Sequence, residues 1–327
     1  MNLPTGGAAP WPVDAVMLCG DRGASKAVDG ESKAFLPLHG KPLFIHVVEA
    51  LLNVTRVGRV FIIGDRARLD HCLAQWNANP GRPIVTLPQG ASLIENVWNG
   101  FLATIEGYQP GLERRDEAVA DKTVFFLPGD SPIISSAEID EFFDQADMAR
   151  HDYVAGFTPQ RAMEKFYPAG GAPGIRMAYL YFAEGVYRIN NLHLARPFAG
   201  RNRDAIQRMY NSRYQKDLGN IVRLTRDMWR HHVKLQSLAL YFMLQLSQFF
   251  AFTGLWRLNR FTRRHTPMEA VAAAAGRILG LRMGWAITTR GGAALDIDNA
   301  RDYAAMKERF FEWKESQQAA PAPALRF

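Results

Sequence analysis

The sequence predicts an α/β protein: a doubly wound, mostly parallel, Rossmann-like sheet carrying a large, mainly helical insertion. Three observations carry that expectation. Short apolar runs alternate with helix-period segments through the first half of the chain, joined by short connections, as in parallel sheets. Two of the runs stop abruptly at polar, glycine-bearing loops, after Cys19 and after Leu127, which is how a strand delivers a loop to the carboxyl edge of a sheet. From Arg161 to Met283 the alternation lapses, and it resumes only near the end.

The elements follow in order. Asp14–Cys19 (DAVMLC) reads as a buried strand ending at Gly20. Pro42–Asn53 sets Leu43, Val47, Ala50 and Leu51 at helical spacing, with Pro42 in the first turn. Val60–Ile63 is a second strand, Ala67–Trp76 a helix, and Pro83–Leu87 a third strand. Ser92 begins a helix whose Leu93, Val97 and Phe101 share a face. Thr123–Leu127 is a fourth strand running straight into Pro128-Gly129-Asp130, and Ser135 with Glu138 has the spacing of a capping box. Tyr153–Phe157 is a fifth strand. Late in the chain, Thr266 is placed to cap a helix with Pro267 at its first position and Gly280 at its stop. Ala286–Thr289 is a strand before Asp296-Ile297-Asp298, and Ala300–Ser316 a closing helix. This gives a core of residues 13–160 and 284–316, an insertion over 161–283, and flexible ends at 1–12 and 317–327.

Composition narrows the classes. The chain has 327 residues and is 48% hydrophobic, enough to bury a core and too apolar for wholesale disorder. Its net charge of +7 favours anionic partners. The basic residues are spread without an aromatic platform, so nucleic acid is not among the expected partners. Two cysteines, Cys19 and Cys72, do not make a disulfide framework, and a reducing cytoplasm is expected. The first residues lack the charged and apolar regions of a signal peptide.

The candidate chemistry lies in three separated segments. The loop after the first strand carries Gly20, Gly23 and Gly30 with Arg22, Lys26 and Lys33. Glycines let backbone N–H groups approach phosphate oxygens, and the basic side chains neutralise charge on a triphosphate and its leaving pyrophosphate. The spacing is neither a Walker loop nor GxGxxG. Asp130 leaves the apolar fourth strand at the rim of the sheet, where a divalent ion can keep several waters. Asp296 and Asp298 alternate around Ile297, so in an extended segment both carboxylates face one side. Asp298 or Asn299 is placed to cap the final helix.

The segments DAVMLCG, SKAFLPLHGKPLFIHVVEAL, QGASLIENVWNG, VFFLPGDSPII and LDIDNARDY, in this order, resemble the nucleotidyltransferases of GT-A-like fold, whose members include molybdenum-cofactor guanylyl- and cytidylyltransferases and sugar-phosphate nucleotidyltransferases. The resemblance implies a Mg2+-dependent transfer of a nucleoside monophosphate, from CTP or GTP by preference, to a small anionic or lipid-precursor acceptor. It implies that Leu18, Cys19 and Gly20 hold base and ribose, that Lys33 contacts the phosphates, that Gln89, Gly90 and Ser92 help read the base, and that Asp130 and Asp298 hold the metal. The usual arginine shortly before the lysine is missing; Arg22 or Lys26 takes its place. A GT-A glycosyltransferase and a non-catalytic, membrane-associated nucleotide-binding protein are the competing classes.

The insertion falls where such enzymes build their acceptor contacts, which makes Arg176, Arg188, Asn190, Asn191 and Arg196 candidates for an anionic acceptor. Within it, Leu235–Trp256 contains no charged residue and is followed by Arg257, Arg260, Arg263 and Arg264. A single membrane crossing there would separate Asp298 from Asp130 and is rejected. A buried hairpin or homo-oligomer interface, and a membrane-surface segment over 235–264 at the inner face of a membrane, both remain open.

Overall fold

Val13–Leu18 forms strand β1, a run almost wholly buried because helices cover both faces of the sheet it enters. The computed structural model describes residues 11–21, 27–76, 80–108, 117–200 and 235–318. Pro37–Leu38 (β2) and Lys41–Pro42 (β3) make a small hairpin turned by His39 and Gly40, both at positive φ as such a tight turn requires. Helix α1 (Leu43–Leu52), strand β4 (Val57–Gly64), helix α2 (Arg66–Trp76), strand β5 (Ile84–Pro88) and helix α3 (Leu93–Ala103) follow. After the short α4 (Glu117–Ala120) come β6 (Val124–Pro128), α5 (Ser136–Gln145), β7 (Tyr153–Pro159) and the short α6 (Gln160–Met163). Strands β8 (Leu180–Tyr181) and β9 (Val186–Ala195) precede three helices: α7 (Leu235–Phe252), α8 (Trp256–Arg263) and α9 (Met268–Leu279). Strand β10 (Met283–Ile287) and helix α10 (Ala300–Ser316) close the described chain.

The sheet has the order β10-β7-β9-β6-β1-β4-β5, with β8 paired to β9. The pairs β1–β4, β1–β6, β4–β5 and β7–β10 are parallel, while β9 runs antiparallel between β6 and β7. Alternate residues of β1 point to opposite layers: Ala15 and Met17 pack with α1 and α5, and Val16 with α3. All six strands expected from the sequence are present in a mostly parallel α/β sheet, with helices following where the insertion was expected.

Besides the two-residue strands β2, β3 and β8, one long strand was not expected from the sequence. Residues 186–195, assigned by sequence to the insertion, form β9 in the middle of the sheet. Its register against β7 shifts between Ala155 and Phe157. There Asn190 turns inward against Gly156, where a β-carbon would lie 1.9 Å from the Asn190 Oδ1. The shift turns a polar residue inward and leaves Ile189 exposed, which hides the strand's alternation.

Two helix starts also differ. Thr266 does not cap α9: its buried hydroxyl donates to the carbonyls of Tyr181 (3.1 Å) and Arg263 (2.9 Å). The Glu184 carboxylate, from the turn before β9, accepts the Met268 N–H instead. Ser135 caps α5 as expected, but Glu138 does not reach back to it. Its carboxylate is fully buried and serves the loop after β10. Gly280 ends α9 at positive φ, as expected of a C-terminal glycine.

Candidate active site

The carboxyl ends of β1, β4, β5 and β6 lie at one edge of the sheet. Leu18 pairs with Pro128 and Ile63, and Gly64 with Pro88, so Gly20, Asp130 and Gln89 leave the parallel strands β1, β6 and β5 at one edge, with β4 between β1 and β5. The Gly129 N–H donates to the Leu18 carbonyl at 3.0 Å, and a side chain at Gly129 would overlap the Cys19 Sγ. Cys19 is buried, and its thiol is pushed far above the ordinary range by burial and by the charge of Asp130, so it is no nucleophile.

Lys33 sits in a single helical turn, Lys33–Phe35, whose Ala34 and Phe35 are buried. Just before it, the Glu31 carboxylate accepts the Ser32 N–H at 2.7 Å and takes a bidentate pair from Arg68 at 3.0 and 2.9 Å. The Arg68 guanidinium lies 4.1 Å from the centre of the Phe35 ring. The Lys33 ammonium is thereby aimed between two carboxylates. Its Nζ lies 2.8 Å from Asp298 Oδ1 and 4.0 Å from Asp130 Oδ2.

The Asp296–Asp298 segment reaches this point because three groups hold it. The Ile297 N–H approaches the Asp130 carbonyl at 3.4 Å, and the Ile297 side chain is fully buried. Arg188, from β9, donates to the Ala294 carbonyl at 2.9 Å and to Asp296 Oδ1 at 2.7 Å. Glu138 accepts the Thr288 hydroxyl at 2.9 Å and the N–H groups of Gly291 and Ala293 at 3.0 and 2.8 Å. Asn299 is the cap of α10, accepting the Asp302 N–H at 3.0 Å, which leaves the Asp298 carboxylate for Lys33.

Electrostatics follow from this crowding. Burial, with Asp296 and Asp298 nearby, pushes the Asp130 carboxyl up to about 7 against the pull of Lys33. Burial disfavours the Lys33 charge, yet Asp130, Asp298 and Asp296 outweigh it and hold the ammonium above its usual range. Three carboxylates thus face one lysine and the Arg188 already bound to Asp296. Among the described residues no group of three or more His, Cys, Asp and Glu side chains is arranged as a metal site. Asp130 and Asp298 nevertheless converge on a cation, the lysine ammonium, and offer only oxygen. Such a pair fits magnesium, which takes its remaining oxygens from water and phosphate.

At the far side of the edge, Gly20 meets Gln89 and Asn96. A β-carbon on Gly20 would lie 2.7 Å from Asn96 Nδ2 and 3.1 Å from Gln89 Oε1. Gln89 exchanges two hydrogen bonds with Asp21, at 2.9 and 2.8 Å, and Gly90 donates to Asn96 Oδ1 at 2.6 Å. Ser92 is committed to the start of α3, accepting the Glu95 N–H at 3.2 Å. Asn96 carried no sequence signal beyond its place one turn after Ser92.

The expected acceptor set divides. Asn191 reaches the site, donating to the Ser131 hydroxyl at 3.1 Å. Arg176 is exposed, its guanidinium 5.7 Å from the Tyr167 ring. Arg188 is occupied by Asp296 and Ala294, and buried Asn190 by Thr158, Thr288 and the Leu192 N–H. Both side chains are thus held by protein groups in this structure. Arg196 follows Ala195, which pairs with Val124 at the opposite edge of the sheet. Arg22 and Lys26 lie outside the described residues.

No curated protein sequence matches the chain. Among solved structures, a hypothetical transferase from Thermus thermophilus shares the fold, at 21% identity and a TM-score of 0.53, over 89% of this chain and 98% of its own. A 4-diphosphocytidyl-2C-methyl-D-erythritol synthase from Anaerococcus prevotii is matched at 8% identity and a TM-score of 0.46, over 91% of this chain and 96% of its own. The family model of the MobA-like NTP transferase domain matches residues 15–236 and stops short of Asp296 and Asp298. That span is well over half of the chain, and the chain belongs to the family of MobA-like NTP transferases, an enzyme of the nucleotidyltransferase class.

Proposed function

We propose that the protein transfers a nucleoside monophosphate from CTP or GTP to a small phosphorylated or hydroxylated acceptor, releasing pyrophosphate, with magnesium as cofactor. The observation that carries this reading is the Lys33 ammonium set between the carboxylates of Asp298 and Asp130, on the sheet edge that also bears Gly20 and Gln89. An acceptor oxygen attacks the α-phosphorus, the bond from that phosphorus to the bridging oxygen breaks, and pyrophosphate leaves. When bound, a magnesium ion held by Asp130 and Asp298 supplies charge neutralisation on the phosphates. Lys33 supplies positive charge for the leaving group, and no covalent nucleophile is needed. Gly20 admits the nucleotide to the backbone, with Gln89 and Asn96 flanking the base side. Glu138 and Arg188 hold the Asp296–Asp298 segment in place.

In this reading Arg176 and Asn191 meet the acceptor. A lipid-precursor acceptor also fits it, and such an acceptor calls for a membrane-facing surface on the insertion. The test is pyrophosphate release with each of the four triphosphates, with magnesium and after chelation. The reading expects CTP or GTP to dominate and chelation to abolish release. Turnover untouched by chelation would refute the metal's part in it.

A further inference from the structure

We propose that the α7–α8 hairpin is a docking surface for an anionic lipid bilayer, which it meets lying in the interface rather than crossing it. Among the described residues, seven of the eleven large exposed hydrophobic side chains fall between Phe242 and Phe261. Phe252 is 91% exposed, Phe261 62% and Trp256 57%. Exposed apolar side chains gathered on one element in this way mark an interaction surface.

The hairpin is turned inside out relative to a water-facing helix pair. Polar residues of α8 point inward: Asn259 and Thr262 are buried. Asn259 Nδ2 donates to the Ser247 carbonyl at 2.7 Å, and the buried Ser247 hydroxyl bonds the Thr262 hydroxyl at 2.7 Å. Leu255, Trp256, Leu258 and Phe261 face outward. A helix pair in water does the reverse. A pair whose outer face meets acyl chains has this arrangement, with Ser247, Asn259 and Thr262 satisfied within.

Charge selects the occupant. Arg257, Arg260 and Arg264 are exposed beside the aromatic residues, and the sequence has no Asp or Glu from residue 228 to 268. A second copy docked on the same face by two-fold symmetry would set these arginines against each other. An anionic headgroup layer neutralises them, while Trp256 and Phe261 enter the boundary below. Among the described residues no helix is long and apolar enough to cross a membrane, which fits a surface element.

The hairpin is also tied to the acceptor side of the sheet. Gln248 Nε2 reaches the Tyr179 carbonyl at 3.4 Å, and Thr266 holds the Tyr181 carbonyl at 3.1 Å. The neighbouring Ala178 carbonyl accepts from Arg188 at 3.5 Å, the residue that holds Asp296.

The test is co-sedimentation of the full chain with phosphatidylcholine vesicles and with vesicles that also contain phosphatidylglycerol. Binding is expected only to the latter and is weakened by salt. The double variant Trp256→Glu/Phe261→Glu is expected to stay in the supernatant, with unchanged circular dichroism, melting temperature and activity on a soluble acceptor. Neutralising Arg257, Arg260 or Arg264 to Gln should weaken binding about fivefold each. Failure to sediment with either vesicle at low salt overturns the proposal. So does a concentration-dependent dimer that the double variant breaks while vesicle binding is absent. Because activity is read separately, loss of the membrane surface and loss of the transferase reading give different results.

Discussion

Replacing Arg188 by Ala removes two short hydrogen bonds, to Asp296 Oδ1 at 2.7 Å and to the Ala294 carbonyl at 2.9 Å. Both ends of the ion pair are 18% exposed. The charged bonds are worth about 1.5–3 kcal/mol each, and the largest part of the loss comes from leaving the Asp296 carboxylate without its partner near Asp130. Destabilisation of about 3–4 kcal/mol follows, discounting for the residual exposure. The Asp298 carboxylate, two residues on, loses its fixed position, and a displacement of about 1 Å at such a group costs on the order of a hundredfold in kcat. Urea unfolding and steady-state pyrophosphate release measure the two effects. In a double-mutant cycle with Asp296→Ala, the coupling should be about 2–3 kcal/mol, since removing both charges relieves the uncompensated one. A coupling near zero, with stability intact and only the acceptor KM raised, refutes the positioning role. Arg188 would then be bound to the acceptor, as the sequence alone had suggested.

Further predictions concern the same edge and the sheet's opposite end. Glu138→Gln places an amide N–H against the Ala293 or Gly291 N–H, and should cost about 1–3 kcal/mol in chemical unfolding while lowering kcat through the Asp296–Asp298 segment. Gly20→Ala meets only the ends of two flexible side chains, so thermal unfolding should change little while the KM for the triphosphate rises. Asp14, buried beneath Arg59 and Lys122, tests the pH dependence of stability. Burial raises its carboxyl, but the hydrogen bonds from Arg59 and Lys122 prevail and hold it below the ordinary range. A lowered folded pKa contributes stability above the unfolded value and loses it as pH falls through the folded one. Asp14→Asn should therefore destabilise by about 1–3 kcal/mol at neutral pH and by nothing once pH falls well below about 3.9. Equal cost at both pH values would contradict this.

Much of the architecture was readable because parallel strands covered on both faces leave continuous apolar runs. DAVMLC and TVFFL could be little else, and each ended beside a residue of the candidate site. Strand β9 was hidden for the opposite reason. It carries Arg188 and Asn190 at inward or site-facing positions, and its register shift breaks the alternation a reader relies on. The same obscurity set Arg188 and Asn190 among the acceptor candidates on sequence alone, since a polar residue that satisfies a buried partner looks in sequence like one that awaits a ligand. Glu138 was seen three residues after Ser135 and given the nearest local role. Its true partners lie about 150 residues away, a distance no local pattern reports. The cap of α10 was left between Asp298 and Asn299. The structure gives it to Asn299, and that choice leaves the Asp298 carboxylate to Lys33. In the hairpin, the exposed face was visible as an uncharged run, but which of its residues point outward depended on tertiary contacts of Ser247, Asn259 and Thr262.

The central claim is that Asp130 and Asp298 act together in nucleotidyl transfer. Asp298 is 58% exposed on its side chain, so Asp298→Ala should leave the fold intact. Pyrophosphate release by Asp130→Ala and Asp298→Ala, measured at saturating triphosphate and magnesium on protein of unchanged circular dichroism, is the direct test. The account predicts that each variant loses about a hundredfold or more in kcat/KM. Near-normal turnover in both would contradict it.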